Sequence, residues 1–188
     1  MDGVFQNSEL MNIISRVSKE TNVPSNIILA VAQQETGGKW YDSVSDGTAY
    51  SHGYMMLYDN GALAGLSPEM KEKAKTDHYT NVLVGAQLLA SNYQKYGNWK
   101  TAIKRYNGSG AAADRYADTV WTRANSDHYV QYGQKLDNGR SYSGDSGSGS
   151  GSGVIAKIFN GISILLLICL AFLFVLIAFR FDKSGVTI

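Results

Sequence analysis

The chain has 188 residues, 17 Lys+Arg against 16 Asp+Glu and a formal net charge of +1. Setting aside Lys157, Arg180 and Lys183 from the bases and Asp145 and Asp182 from the acids leaves 14 of each in residues 1–142. That neutral balance, with no Lys/Arg block, argues against nucleic acid as a partner. The lone cysteine, Cys169, excludes an intrachain disulfide and a thiolate cluster. His52, His78 and His128 show no metal-ligand spacing, so neither a metal nor a cofactor is expected. Their polar neighbours predict surface or loop histidines. All twelve Tyr and all three Trp fall in residues 1–142, whereas five of the six Phe fall in the tail. About 140 residues suffice for one compact core and hardly for two.

In chain order, Leu10, Ile13, Ile14 and Val17 recur at helical spacing behind Ser8 as the expected cap and predict a helix over 8–21. Pro24 and Ser25 start a second, VPSNIILAVAQQE, which ends at Glu35 before Gly37-Gly38. Residues 39–67, rich in Gly, Ser, Asp and Tyr, predict a long loop region with short strands around 50–58. Four further helices follow at 68–76, 78–96, 98–106 and 111–126. The class is mainly α, with no nucleotide-binding glycine pattern and no internal repeat.

The domain is assigned to residues 1–142. Residues 143–153 form a Ser/Gly linker that cannot pack, and the tether 141–153 has a reach on the order of 20 Å. From Ile158 to Phe179 no residue is charged, and a helix of that length covers about 33 Å, enough for a hydrocarbon core of ~30 Å. A transmembrane helix is therefore predicted over 154–180, with a short tail at 181–188. Arg180 and Lys183 beyond the span favour a cytoplasmic tail. The amino terminus, MDGVFQNSEL, lacks the basic start and apolar run of a secretory signal.

Among the polar residues Glu35 stands out. It closes an apolar helix, where a carboxylate opposes the helix dipole. There a carboxyl can be partly desolvated yet open to a cleft, which raises its pKa towards what a general acid near neutrality requires. Asp42, Asp46, Asp59 and Asp77 lie in polar segments and read as solvated loop or cap residues.

Over nearly all of residues 8–130 the sequence resembles the soluble lytic transglycosylase family, which has the goose-type lysozyme fold. VPSNIILAVAQQETGG matches the family's Pro-led helix ending in Glu-Ser, with Thr36 in place of the Ser. Gly53-Tyr54-Met55-Met56-Leu57 matches its Gly-x-Met-Gln-Leu segment. Asn81, Val82, Gly85 and Leu89 match its Asn-Ile-x-x-Gly-x-x-x-Leu helix. Tyr106-Asn107-Gly108 matches its Tyr-Asn-Ala-Gly turn with the glycine one place early, and Tyr116 with Val120 matches its Tyr-x-x-x-Val.

The resemblance implies a mainly α, goose-type lysozyme-like domain, to which the composition adds the flexible linker and one transmembrane helix. It implies cleavage of the β-1,4 bond between N-acetylmuramic acid and N-acetylglucosamine, with the muramic C6 hydroxyl attacking its own C1 to give a 1,6-anhydro end. Glu35 would be the catalytic acid and base. Gly53 and Met55 would shape the cleft floor, the glycine allowing close approach of the polymer. Tyr54, Tyr58 and Trp40 either offer their rings to sugars or serve as ordinary core or rim aromatics. Tyr106 would bond near the catalytic carboxylate and Asn107 would hold the intermediate or adjacent sugar. Met56 stands where the family's glutamine lines the cleft, which removes one polar contact.

Two other readings remain at this stage: a muramidase that uses water with a loop aspartate, and a catalytically inactive glycan-binding or structural membrane protein. The expected partners are peptidoglycan strands, a lipid membrane through the C-terminal helix, and virion or envelope-complex proteins. The expected setting is a single-pass protein of the internal membrane of a lipid-containing phage, whose particle delivers the enzyme for genome passage. The bacterial inner membrane is the alternative.

Overall fold

The structure, a computed structural model, describes residues 2–136. The linker 143–153, the span 154–180 and the tail 181–188 predicted from the sequence lie outside the described residues. Among the described residues no helix is long and apolar enough to cross a membrane.

A short 3-10 turn (Gly3–Gln6) precedes α1 (Ser8–Thr21) and α2 (Ser25–Thr36). Three strands follow, β1 (Val44–Ser45), β2 (Tyr50–His52) and β3 (Leu57–Tyr58). The rest is helical: α3 (Pro68–Thr76), α4 (His78–Tyr96), α5 (Trp99–Asn107), α6 (Gly110–Ala124) and α7 (Asp127–Val130). Most boundaries fall within a residue or two of those predicted, because the stop and start signals are local. The caps differ in detail. Asn7, not Ser8, caps α1, its Oδ1 accepting the Leu10 N–H at 2.9 Å. Asn98 caps α5 by accepting the Thr101 N–H at 2.9 Å, so it precedes the helix. The helix predicted over 111–126 stops at Ala124, and residues 127–130 form a separate turn after Ser126.

Helix α2 is the centre of the domain. Asn26, Ile27, Ile28, Leu29, Ala30, Val31 and Ala32 are all buried, which explains an apolar run without a polar stripe. Burying each of its large aliphatic side chains contributes ~1.5–3 kcal/mol. Helices α1, α6 and α7 pack on α2, while α4 packs on α1, α3 and α5, and α5 on α6. The buried Asn26 is fully engaged: its Nδ2 donates to the carbonyls of Ala124 and Gln134, each at 2.8 Å, tying the end of the domain to the central helix.

The strands form one antiparallel sheet in the order β1-β2-β3. Ser51 pairs with Tyr58 and His52 with Leu57, so Gly53–Met56 is the four-residue loop of a hairpin. His52 corrects the expectation of exposed histidines. It is 7% exposed, with Nδ1 2.7 Å from the Asp42 carbonyl and Nε2 3.3 Å from Asp59 Oδ1.

Candidate active site

Glu35 lies in the last turn of α2, which Gly37 closes in the left-handed conformation (φ 64) with its N–H on the Gln33 carbonyl. This places a carboxyl at the end of the most buried helix. Tyr116 of α6 donates its hydroxyl to Glu35 Oε1 at 2.5 Å. Burial pushes the Glu35 carboxyl up to about 7, against which the Tyr116 hydrogen bond works by favouring the carboxylate. Near neutrality the two protonation states are comparably populated, so the group can both give and take a proton. Burial, and then the Glu35 charge, holds the Tyr106 and Tyr116 hydroxyls well above the ordinary tyrosine range, and they remain neutral donors.

The hairpin loop is fixed by residues of three helices. Thr36, the residue after Glu35, donates its hydroxyl to the Tyr54 carbonyl at 3.1 Å. Asn81, fully buried in α4, accepts the Met55 N–H at 3.0 Å and donates to the carbonyls of His52 and Ala74, each at 3.0 Å. Gly85, one turn further along α4, leaves space for Met55, since a Cβ there would stand 2.9 Å from that side chain. Tyr106 of α5 donates to the Met55 carbonyl at 2.6 Å. The motif segments of α2, the hairpin, α4, α5 and α6 therefore converge on one place.

The residues singled out from the sequence divide on their surroundings. Gly53 (φ 73) does not leave room for a polymer: a Cβ there would stand 2.2 Å from the Asn81 amide, so the glycine makes space for that side chain. Tyr54 is only 2% exposed, and its ring packs on Trp40 and His78. It has no face to offer a sugar. Met55 is fully buried: its side chain packs against Gly85, and its N–H and carbonyl are held by Asn81 and Tyr106, so it offers no side chain to a cleft floor. Met56 is half-buried and holds a left-handed backbone (φ 46), and Asn107 is exposed at the end of α5.

Tyr106 bonds the loop and not the carboxylate; the hydroxyl on Glu35 is that of Tyr116. Its place had a sequence signal. Tyr116 interrupts a run of small residues on the buried face of α6, Ala113, Ala117, Val120 and Ala124, where a large polar-tipped ring needs a partner.

Each loop aspartate has a local role. Asp42 accepts the Trp40 indole N–H at 2.8 Å. Asp46 accepts the N–H groups of Ala49 and Thr48, which hold its carboxyl down to about 2. Asp59 is lowered by Lys75, 2.6 Å away, and by His52. Asp77 caps α4 through the hydroxyl and N–H of Thr80. None of them perturbs Glu35, whose shift traces to burial and Tyr116. Among the described residues no group of three or more His, Cys, Asp or Glu is placed to hold a metal ion.

The domain is mainly helical, with a desolvated carboxyl at the end of its central helix. The family model described as Transglycosylase SLT domain matches residues 12–128, well over half of the chain, and the chain belongs to that family. It is a lytic transglycosylase that cleaves peptidoglycan. No curated protein and no solved structure matches the chain.

Proposed function

We propose that Glu35 is the sole catalytic acid and base, and that it cleaves the bond between N-acetylmuramic acid and N-acetylglucosamine with formation of a 1,6-anhydro end. The observation that carries this reading is the Glu35 carboxyl, pushed up to about 7 by burial, held by Tyr116 and unperturbed by a second carboxylate. Glycoside hydrolysis normally divides acid and nucleophile between two carboxyl groups. A single carboxyl suffices when the nucleophile comes from the substrate. Protonated Glu35 gives its proton to the leaving glycosidic oxygen. The resulting carboxylate then removes the proton of the muramic C6 hydroxyl as that oxygen bonds to C1, so the acid is regenerated and no water is consumed.

Tyr116 keeps the carboxyl oriented and supports its anionic form between the two transfers. Tyr106 holds the hairpin loop through the Met55 carbonyl. Met56 and Asn107 remain accessible for sugar contacts, and Gly53 serves the same loop by admitting Asn81. Anchoring by the span expected over 154–180, with the internal membrane of a phage particle as the setting, completes the reading. It is supported by the uncharged stretch Ile158–Phe179 and would confine wall opening to the anchor point.

Digestion of purified cell walls tests the chemistry. Glu35→Gln should abolish release of soluble fragments, and Asn substitutions of Asp42, Asp46, Asp59 and Asp77 should each leave most of the activity. The wild-type fragments should carry 1,6-anhydromuramic ends. Reducing muramic ends, or one Asp→Asn variant as inactive as Glu35→Gln while still folded, would establish a water-using muramidase instead. Presence of the chain in purified phage particles, as opposed to host membranes alone, tests the setting.

A further inference from the structure

Residues 2–7 lie ahead of the family match, which begins at residue 12, and they lie against the end of α2. The Val4 N–H donates to Gln33 Oε1 at 3.0 Å. Asn7 Nδ2 donates to the Gly38 carbonyl at 3.0 Å and to the Tyr54 hydroxyl oxygen at 3.1 Å, while its Oδ1 caps α1. The two backbones are in direct contact. A Cβ on Gly3 would stand 2.3 Å from the Gly37 carbonyl oxygen, and one on Gly38 (φ 79) would stand 2.5 Å from Val4 Cα.

The same segment is fastened at its other end. Asp2 accepts the Tyr129 hydroxyl at 2.5 Å and lies 3.8 Å from Arg123 Nε. Arg123 also donates to Gln34 Oε1 at 2.8 Å. The Phe5 ring rests on Tyr129 and Tyr132 with centroids 4.8 and 5.0 Å away. Gln33, Gln34, Gly37 and Gly38 flank Glu35, and Arg123 belongs to α6, which carries Tyr116. The segment is thus connected to both sides of the Glu35–Tyr116 pair.

We propose that residues 2–7 are a strap that fixes the last turn of α2 so that Glu35 meets Tyr116, with Asn7 as its positioning residue. The proposal rests on the assignment of Glu35 as the acid. The last turn of a helix has carbonyls without intrahelical partners and frays readily, yet proton transfer demands a position held within about half an ångström. The strap supplies what the helix end lacks. Asn is required at position 7 because one side chain must accept at the cap and donate to Gly38 at once. An aspartate could only cap.

The test uses the full chain and soluble, uncrosslinked glycan strands, with kcat and KM measured at a temperature where circular dichroism shows the variant folded. Asn7→Asp keeps the cap acceptor and removes the donor to Gly38. Gly3→Ala pushes the strap off the Gly37–Gly38 turn without touching the cap. Both should lower kcat ten-fold or more with KM within two-fold of wild type. Gln33→Met, which deletes only the acceptor for Val4, should act in the same direction and serves if either of the others does not fold. A kcat within two-fold of wild type in the folded variants, or a rise in KM at unchanged kcat, overturns the proposal. Glu35→Gln in the same assay separates the two levels. If it is inactive while the strap variants turn over normally, the strap alone is refuted; if it is active, the acid assignment falls and the strap proposal with it.

Discussion

Burial holds the Glu35 carboxyl at about 7, well above its ordinary value of 4.5, and that displacement has a cost in stability. The native state binds the Glu35 proton more tightly than the unfolded chain does. Its contribution is fully present below the unfolded value of 4.5 and is lost as pH rises towards and through the folded value of about 7. At 1.36 kcal/mol per unit, ionising the buried carboxyl costs about 3 kcal/mol by pH 8. Glu35→Gln keeps the shape and an oxygen that accepts from Tyr116, but cannot ionise. For a domain of this size ~1 kcal/mol corresponds to about 3 °C in Tm. The variant should therefore melt close to wild type at pH 4.5 and about 10 °C above it at pH 8. Thermal melts of both proteins across that range measure it, and the effects of other titrating groups cancel in the difference. A difference that stays flat from pH 4.5 to 8 would falsify the claim that Glu35 is desolvated.

Three further outcomes are expected. Tyr116→Phe removes a hydrogen bond that favours the carboxylate, worth ~1.5–3 kcal/mol; the Glu35 pKa should rise by about one to two units and carry the alkaline limb of kcat/KM upward with it. An unmoved limb would mean that Tyr116 does not bond Glu35 in solution. Asn81→Ala leaves the Met55 N–H and the carbonyls of His52 and Ala74 without their partner and should cost about 3 kcal/mol or more in urea unfolding; a loss below about 1 kcal/mol would show that the hairpin loop is held by other contacts. Met56→Gln, at a half-buried position, should leave Tm within about 2 °C and raise turnover on long strands a few-fold, the worth of one neutral hydrogen bond. A lower Tm without a gain in rate would place Met56 in the core.

The helices were legible in the sequence because their signals are local. Apolar periodicity marks α1, Pro24 and Gly37 bracket α2, and Ser67-Pro68 and Asp77 mark the starts of α3 and α4. The order of short motifs was equally legible, and with it the family. The sequence alone also carries the composition break after residue 142 and the long uncharged run from Ile158. Glu35 could be singled out because a carboxylate ending an apolar helix is locally unfavourable, and such a placement calls for a reason.

Only the tertiary structure decided what each motif residue touches. The glycine of the hairpin makes way for Asn81, Met55 packs its side chain on Gly85 and bonds through its backbone, and Tyr54 is buried between Trp40 and His78. The hydroxyl on Glu35 comes from a residue 81 positions away in the chain, and residues 2–7 reach the end of α2 across 29 to 31 positions and Arg123 from the other end of the domain. Periodicity and capping report on neighbours within about one helical turn. Hydrogen bonds between remote segments depend on how whole helices pack, so a motif can identify the segments of a site while leaving open which atom of each one faces it.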